Sequence, residues 1–356
     1  MSGNDIDRNE WSRLVVSSST GTWFQTPEAF DFYASQPELF KPFAIGICNL
    51  KFETINAQST LRAVCVGYVT VEKNPIKQFF TRRAIIIGGP CLADDCTEDE
   101  AYALMQAVRQ QLEIGNWKLE NGAPIYIETR NFNDYSRWKE AFEKSGFEYQ
   151  PHLNFHIDTS SMDIVDANLG KSRKRDIRTT IREGVNIISI YDLGLQIDDL
   201  KRERMVHEYY VILSNLYKTR VKTPLFPEKF FQTLAKHPDA RFLLTEYNGE
   251  IIGGTVCVAQ QGKCLYEWFA CGEDGVYPHV FPSCYATYAG IKYAAEHDMP
   301  RFDMMGAGKP DEAYGVRDFK AKFGGKEVEH GRFLCVTKPM LYKTGKLGVA
   351  ILKKLK

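Results

Sequence analysis

The chain has 356 residues, more than a single hydrophobic core usually reaches, so we expect two domains. Lysine plus arginine and aspartate plus glutamate each number 45, and the resulting net charge of zero excludes a generally basic nucleic-acid-binding surface. Any contact with a polyanion therefore requires a local basic patch.

The nine cysteines do not follow the spacing of a disulfide framework, and most lie within apolar runs. Cys91 and Cys96 are close enough in sequence to bind a metal, but no matching cysteine or histidine pair follows them. The N-terminus lacks the apolar core of a secretory signal, and no stretch approaches the roughly 20 apolar residues of a membrane span. We therefore expect reduced core cysteines, no metal and a cytoplasmic location.

Hydrophobic periodicity predicts the same series of elements in both halves. The first half has a helix near 27–36, strands near 43–50, 61–70 and 84–87, a helix at 98–117, a strand at 124–129, a helix at 134–144 and a strand at 147–158. The second half has helices near 198–217 and 227–236, strands at 241–247, 250–259 and 263–270, a helix near 279–297, a strand at 301–304, a helix at 312–322 and a strand at 327–336.

The two halves also share residues near the ends of these series. Placing Gly146 on Gly324 puts His152 on His330 without a gap. Together with the shared order of elements, this match predicts two copies of one α/β unit with mixed (α+β) sheets. Antiparallel strands followed by helix, strand, helix and strand are typical of the GNAT-type acyltransferase fold, which is a likeness of fold and not of function.

The domain boundaries follow from this repeat. We place the first GNAT-like domain at 1–158 and the second, with the expected active site, at 159–336, joined by the turn-rich segment 159–170. The remainder, 337–356, includes six lysines and no acidic residue. We favour a terminal helix packed on the protein itself, on the first domain; the alternative is a basic amphipathic helix in peripheral contact with the inner membrane face.

A row of basic residues follows the predicted join. Lys171, Arg175, Arg178 and Arg182 are spaced four, three and four residues apart and so share one helix face, with Lys174 beside them. Arginine binds phosphate oxygens in a bidentate manner, so the row is suited to an anionic substrate. A solvated helix face partly paired with neighbouring acids is the other interpretation, and the sequence leaves both open.

Neither half contains the glycine-rich loop with which an acetyl-CoA-dependent GNAT domain binds pyrophosphate. That loop has the form Q/R-x-x-G-x-G/A, and its backbone N–H groups contact the phosphates. The corresponding segments here are 88–95 (GGPCLADD) and 272–279 (GEDGVYPH), and the second is acidic with a different glycine spacing. We therefore expect no cofactor, and an acyl donor other than CoA.

Three blocks in the second half resemble one known family. They are 172–178 (SRKRDIR), 209–220 (YYVILSNLYKTR) and 314–325 (YGVRDFKAKFGG). In the last block Phe319 and Phe323 predict a short helix with one buried face that ends at the glycine pair, which puts Lys320 at the rim of a site. The blocks resemble the FemAB family of aminoacyl-tRNA-dependent ligases, which build peptidoglycan cross-bridges.

The resemblance implies a set of site residues. Lys320 and Arg220 would be catalytic: the first would stabilise the developing oxyanion, and the second would hold a phosphate or carboxylate of the acceptor. The residues expected to bind substrate are Lys174, Arg175, Arg178, Tyr217, Tyr314 and Arg317. The implied partners are an aminoacyl-tRNA and a peptidoglycan precursor, which would be a UDP- or lipid-linked muropeptide.

Two departures from the family pattern accompany the resemblance. Family members often carry a lysine shortly after a tryptophan of the opening helix, whereas this chain has Phe30 and no lysine before Lys41. The few residues between Phe231 and Arg241 leave no space for the coiled-coil arm of some members, so the compact FemX-like members are more similar.

We therefore predict two tandem GNAT-like acyltransferase domains that transfer an amino acid from aminoacyl-tRNA to the peptide stem of a peptidoglycan precursor. Two other functions remain open. One is an N-acyltransferase that uses another activated acyl donor on an amino sugar or peptide. The other is a non-catalytic protein that binds a glycan or peptide, which ligand binding without turnover would reveal.

Overall fold

In the computed structural model of the protein, residue 3 and residues 5–49, 60–113 and 122–345 are described. The helices are α1 (Arg8–Ser17), α2 (Pro27–Ala34), α3 (Pro75–Thr81), α4 (Glu98–Glu113), α5 (Lys139–Lys144), α6 (Met162–Asn168), α7 (Lys171–Arg182), α8 (Ile190–Leu193), α9 (Asp199–Leu216), α10 (Glu228–Leu234), α11 (Pro282–Glu296) and α12 (Gly315–Ala321). The strands are β1 (Phe40–Asn49), β2 (Thr60–Thr70), β3 (Ala84–Gly88), β4 (Cys91–Leu92), β5 (Tyr126–Asn131), β6 (Glu148–Gln150), β7 (Leu153–Asp158), β8 (Asn186–Ser189), β9 (Ala240–Tyr247), β10 (Glu250–Gln260), β11 (Cys264–Gly272), β12 (Arg301–Asp303), β13 (Lys326–Glu329) and β14 (Arg332–Val336).

The chain divides into two compact units, each built around a mixed sheet. The first unit is Met1–His152 with His330–Lys356, and the second is Leu153–Glu329. The strand orders are β1-β2-β3-β5-β14-β6, with β4 on β2, and β13-β7-β12-β11-β10-β9-β8. Among the described strands, β3 with β5 and β11 with β12 are the parallel pairs, and α4 and α11 make the respective crossovers. The predicted repeat of one α/β unit is therefore present.

The last predicted strand of each half of the chain is divided in two, and its second part joins the sheet of the other half. The strand predicted at 147–158 is interrupted at Pro151, which has no N–H to donate; β6 stays in the first sheet, and β7 pairs with β12 and β13. The strand predicted at 327–336 is interrupted at Gly331, which has a φ of 64°, and its second part, β14, pairs with β5 and β6.

This exchange moves both predicted domain boundaries. The units divide after His152 and after Glu329, instead of after 158 and 336. The segment 159–170, predicted to be a turn-rich join, contains α6. A sequence repeat reveals the order of elements, but long-range pairing decides which sheet a terminal strand joins.

Helix α12 forms as its sequence predicts. The ring centroids of Phe319 and Phe323 lie 5.3 Å apart, and Phe323 is buried in the core of the second unit. Gly324 follows with a φ of 79°, a conformation that favours glycine, and ends the helix. The guanidinium of Arg173, on α7, lies 4.3 and 4.9 Å from the two ring centroids, so the inner face of α12 is fixed on α7.

The chain after β14 packs on the first unit as far as it is described. The N–H group of Thr337 donates to the Ile125 carbonyl at 3.0 Å, and the ring centroids of Tyr342 and Tyr126 lie 5.5 Å apart. Residues 346–356, which carry most of the predicted amphipathic helix, lie outside the described residues. Within the described ranges, no helix has both the length and the apolar character needed to cross a bilayer.

Candidate active site

The parallel strands β11 and β12 diverge after two paired positions. Leu265 pairs with Phe302 and Tyr266 with Asp303; β11 then continues, whereas β12 ends and the chain enters the loop 304–308. Where two neighbouring strands separate, their backbone groups must be satisfied by side chains, water or a ligand. We call this opening in the second sheet the strand gap.

The loop beside the strand gap has an unusual backbone that side chains hold in place. Met305 and Gly306 have φ values of 52° and 104°, and a positive φ is uncommon for a residue such as methionine. Asp303 Oδ1 accepts a hydrogen bond from the Met305 N–H, and Asn154 Oδ1 accepts one from the Gly306 N–H, both at 2.8 Å. Asn154 Nδ2 also donates to Asp303 Oδ1 at 2.7 Å, which links the two anchors.

Lys320, on α12, reaches the loop carbonyls at the strand gap. Its Nζ donates to the Gly306 carbonyl at 2.8 Å and also to the Met304 carbonyl. An ammonium group has three N–H donors, so these two bonds leave one for a further acceptor. Burial lowers the pKa of the half-buried Lys320, while the negative charges of Glu267 and Asp303 act in the opposite direction.

A buried carboxyl group, that of Glu267, lies on β11 one residue past the last position paired with β12. The register between β10 and β11 shifts here, and Trp268 is the extra residue of the bulge. Thr255 Oγ1 donates to Glu267 Oε1 at 3.4 Å. Burial raises the pKa of Glu267, and the positive charge of Lys320 opposes that rise.

Asp303, the last residue of β12, is fully buried and is held as an anion. Its Oδ2 lies 3.1 Å from His156 Nε2 on β7. Burial alone would raise the pKa of this carboxyl, but the hydrogen bond and charge of His156, the charge of Arg301 and the hydrogen bond from Asn154 bring it below its ordinary value. Lys320, Glu267 and Asp303 therefore bring one ammonium group and two carboxyl groups to the strand gap.

The N-terminus of α11, where a GNAT domain would bind the CoA pyrophosphate, is already capped. Asp274 Oδ1 accepts a hydrogen bond from the Ser283 N–H at 3.0 Å, and Pro282, the first residue of the helix, has no N–H. A β-carbon at Gly272 would lie 2.3 Å from Ser283 N, so this turn is also closely packed. A carboxylate thus occupies the place of a phosphate group.

The corresponding place in the first unit is filled. The strands β3 and β5 stay paired over five positions, from Ala84 with Ile127 to Gly88 with Asn131. The buried Tyr135 hydroxyl donates to the Pro90 carbonyl at 2.6 Å, just beyond the end of β3. Of the two parallel strand pairs described, the one in the second unit is open.

Comparisons with known proteins agree with this architecture. Residues 171–320 match the profile of the acetyltransferase (GNAT) domain family, and the matched range ends at Lys320. The crystal structure of FemX is similar over 97% of this chain and 99% of that chain, with a TM-score of 0.65 and 13% sequence identity. The chain has a FemX-like tandem GNAT fold.

Two other solved structures share the tandem GNAT fold. L-PGS from Bacillus licheniformis has a TM-score of 0.53 and 11% identity over 96% of each chain. A tandem GNAT protein from the clavulanic acid biosynthesis pathway has a TM-score of 0.52 and 7% identity over 94% of this chain and 96% of that chain. Identities this low establish the fold alone. No curated protein matches the sequence.

Of the predicted aromatic residues, Tyr314 contacts the loop. The Tyr314 ring covers Gly308, where an added β-carbon would lie 2.9 Å from Tyr314 Cδ1. Burial raises the pKa of Tyr217, and Tyr314 adds to that rise. Arg220 is exposed on the π-helical turn Tyr217–Val221, a type of turn that recurs at functional sites.

Arg317, which is predicted to bind substrate, also contacts the loop. Its Nε donates to the Ala307 carbonyl at 3.0 Å, its Nη1 donates to the Pro310 carbonyl at 3.4 Å, and its Nη2 donates to the Lys309 carbonyl. These bonds use three of the five N–H donors of its guanidinium, so Arg317 supports the loop, and its part in binding substrate stays a prediction.

The basic row of α7 lies on the exposed face of that helix. Lys171, Lys174, Arg175, Arg178, Thr179 and Arg182 line a shallow depression of about 440 Å³. Arg175 pairs with Asp176 at 2.9 Å, which fits the interpretation of a partly paired face, but Lys174 and Arg178 have no ion pair within the described ranges. Since the opposite face packs on α12 through Arg173, the row and Lys320 are not brought together by any described contact.

Sequence reasoning missed Glu267 and Asn154. A glutamate inside the apolar strand CLYEWFACG was a usable signal, because an unpaired charge rarely occupies a buried strand. Asn154 gave no local signal, since Asp303 and Gly306, the partners that place it at the strand gap, lie about 150 residues away. Within the described residues, no cluster of three or more potential metal ligands occurs.

Proposed function

We propose that this chain is an aminoacyltransferase acting on the peptide stem of a peptidoglycan precursor. A neutral amine of the acceptor attacks the ester carbonyl of an aminoacyl-tRNA, an amide bond forms, and the ester C–O bond breaks to release the terminal ribose hydroxyl of the tRNA. The observation that carries the proposal is the Lys320 ammonium in the strand gap, held by two carbonyls with one donor left over.

This chemistry makes few demands on the protein. The two substrates must be held together, and the negative charge that develops on the carbonyl oxygen must be stabilised. The remaining N–H of Lys320 supplies that stabilisation. The negative charges of Glu267 and Asp303 oppose the effect of burial on the Lys320 pKa, and so help to keep the group protonated.

The acyl donor in this proposal is not CoA. The Asp274 carboxylate at the N-terminus of α11 would repel a pyrophosphate group there. Anionic groups of the tRNA or of the acceptor instead contact basic residues that have no ion pair within the described ranges, Lys174 and Arg178 of α7 and Arg220 of the π-helical turn. The segment 338–356 adds a peripheral contact with the inner membrane face, where lipid-linked precursors are found.

The fold shared with L-PGS supports the aminoacyl class and also suggests a second acceptor. A solved domain of a putative lysylphosphatidylglycerol synthetase from Agrobacterium fabrum is similar over 92% of this chain, with a TM-score of 0.53 and 11% identity. A lipid headgroup is therefore the alternative acceptor that the test must include.

The test measures transfer of label from a pool of radiolabelled aminoacyl-tRNAs to soluble UDP-linked muropeptide. Parallel reactions replace the muropeptide with phosphatidylglycerol vesicles, or the aminoacyl-tRNAs with labelled acetyl-CoA. We expect label on the muropeptide with wild-type protein and with Lys322→Met, an exposed position at the end of α12, but not with Lys320→Met. Transfer only to the lipid would replace the acceptor, and transfer only from acetyl-CoA would overturn the proposal.

A further inference from the structure

Helix α3 of the first unit carries its apolar side chains on the solvent side. Ile76, Phe79 and Phe80 are 72%, 44% and 50% exposed, and their spacing of i, i+3 and i+4 places them on one face. Gln78 and Arg82, on the other side, are buried. The usual pattern of a surface helix, with polar residues outside and apolar residues inside, is therefore inverted.

Polar groups, and not the three apolar side chains, fix α3 on its unit. Gln78 Nε2 donates to the Thr70 carbonyl at 3.0 Å, and Gln78 Oε1 accepts from the Glu72 N–H. Arg82 Nη1 donates to the Gly122 carbonyl. The α3 face, which we define as Ile76, Phe79 and Phe80, thus remains exposed on a helix that is already anchored.

The exposed aromatic pair forms a compact apolar surface. The rings of Phe79 and Phe80 lie edge to face, with centroids 5.1 Å apart. A grouped apolar surface of this kind on a soluble unit marks a place of interaction more often than scattered single residues do.

Basic residues flank the α3 face in sequence, and of these Lys73 is exposed and Arg83 is half-buried. The segment 72–83 (EKNPIKQFFTRR) contains four basic residues and one acid. Lys338 lies near Arg82, since a β-carbon at Gly122 would be 3.7 Å from Lys338 Nζ and 4.0 Å from Arg82 Nη1. The described chain that follows, as far as residue 345, adds Lys343 and no acid. The α3 face, with basic residues near it, complements a surface that is apolar inside and negatively charged outside.

We propose that the α3 face docks this protein on an anionic phospholipid bilayer. The three apolar side chains enter the interface, and the neighbouring Lys73 and Arg83 contact lipid phosphates. The inference is independent of the proposed catalytic step, because the strand gap lies in the second unit; it concerns the same first unit as the membrane contact proposed for 338–356.

Vesicle sedimentation of the full-length protein tests the proposal. We expect binding to phosphatidylcholine vesicles that contain phosphatidylglycerol, equal binding when phosphatidylserine replaces it, and little binding to phosphatidylcholine alone. The double variant Phe79→Ser/Phe80→Ser should bind at least about tenfold more weakly. Val16→Ser, at a 73% exposed position on α1, is the matched control and should bind like wild type.

A second measurement reports insertion directly. In Phe79→Trp, a conservative change, we expect added fluorescence that shifts to the blue on binding anionic vesicles and is quenched by lipids brominated in the acyl chain. The proposal would be overturned if the wild-type protein did not bind vesicles. Coverage of the α3 face by the chain's own C-terminal segment would give that result. Undiminished binding of the double variant, or added fluorescence in Phe79→Trp that the brominated lipids leave unquenched, would assign any binding to other basic residues.

Discussion

Replacing Lys320 with methionine removes one charge and two hydrogen bonds while keeping a side chain of similar length. If the remaining N–H stabilises the oxyanion, kcat should fall by about 10²–10³, the effect of losing one such donor, equivalent to about 2.7–4 kcal/mol of transition-state stabilisation. KM should change less, since this bond is strongest in the transition state.

The cost to folding should be smaller, for reasons visible in the strand gap. The carbonyls of Met304 and Gly306 each lose a charged donor, a bond that contributes about 1.5–3 kcal/mol. Two effects offset this loss. The ammonium no longer has to be partly buried, and Glu267, whose pKa burial already raises, can take up a proton once Lys320 no longer opposes it. We expect a net loss of at most about 2 kcal/mol in the free energy of unfolding.

The assay compares single-turnover transfer rates and urea unfolding for wild type, Lys320→Met and the exposed control Lys322→Met. The control should match wild type in both measurements. A folded Lys320→Met protein that transfers within about threefold of the wild-type rate would refute the role of Lys320 in oxyanion stabilisation.

Two further changes test the surroundings of Lys320, and a third tests the basic row of α7. Glu267→Gln removes a negative charge that raises the Lys320 pKa, so the alkaline decline of kcat should begin at lower pH; an unchanged pH profile would contradict the coupling. The Asp303 pKa is lowered in the folded state, so this carboxylate stabilises the fold above its ordinary pKa of about 4, and the stabilisation is lost as the pH falls through the folded value. Asp303→Asn should therefore lower the free energy of unfolding at neutral pH by about 1–3 kcal/mol and make it less sensitive to acid, as urea titrations at several pH values can check. Lys174→Ala/Arg178→Ala should raise KM for the anionic substrate at low salt, about tenfold, with kcat unchanged, and the difference from wild type should shrink as salt is added; equal KM values would exclude the row from binding.

Local sequence patterns could predict those parts of the site whose residues are close together in the chain. Phe319 and Phe323 are four residues apart and Gly324 follows them, so the helix, its buried face and its end were all predictable. Lys320 then had to lie near the rim. The bonds of Arg317 to carbonyls seven to ten residues away were not predictable, because they depend on a loop conformation that no local pattern specifies.

Tandem α/β units follow from the sequence alone, because hydrophobic periodicity is a local consequence of which side chains must face a core. Three features required the tertiary structure: the exchange of β7 and β14 between the sheets, the strand gap between β11 and β12, and the meeting of Asn154, Glu267 and Lys320 at that gap. Each depends on strand pairing between distant segments, whose free energy comes from burial and hydrogen bonds in the finished sheet and leaves no periodic signal along the chain.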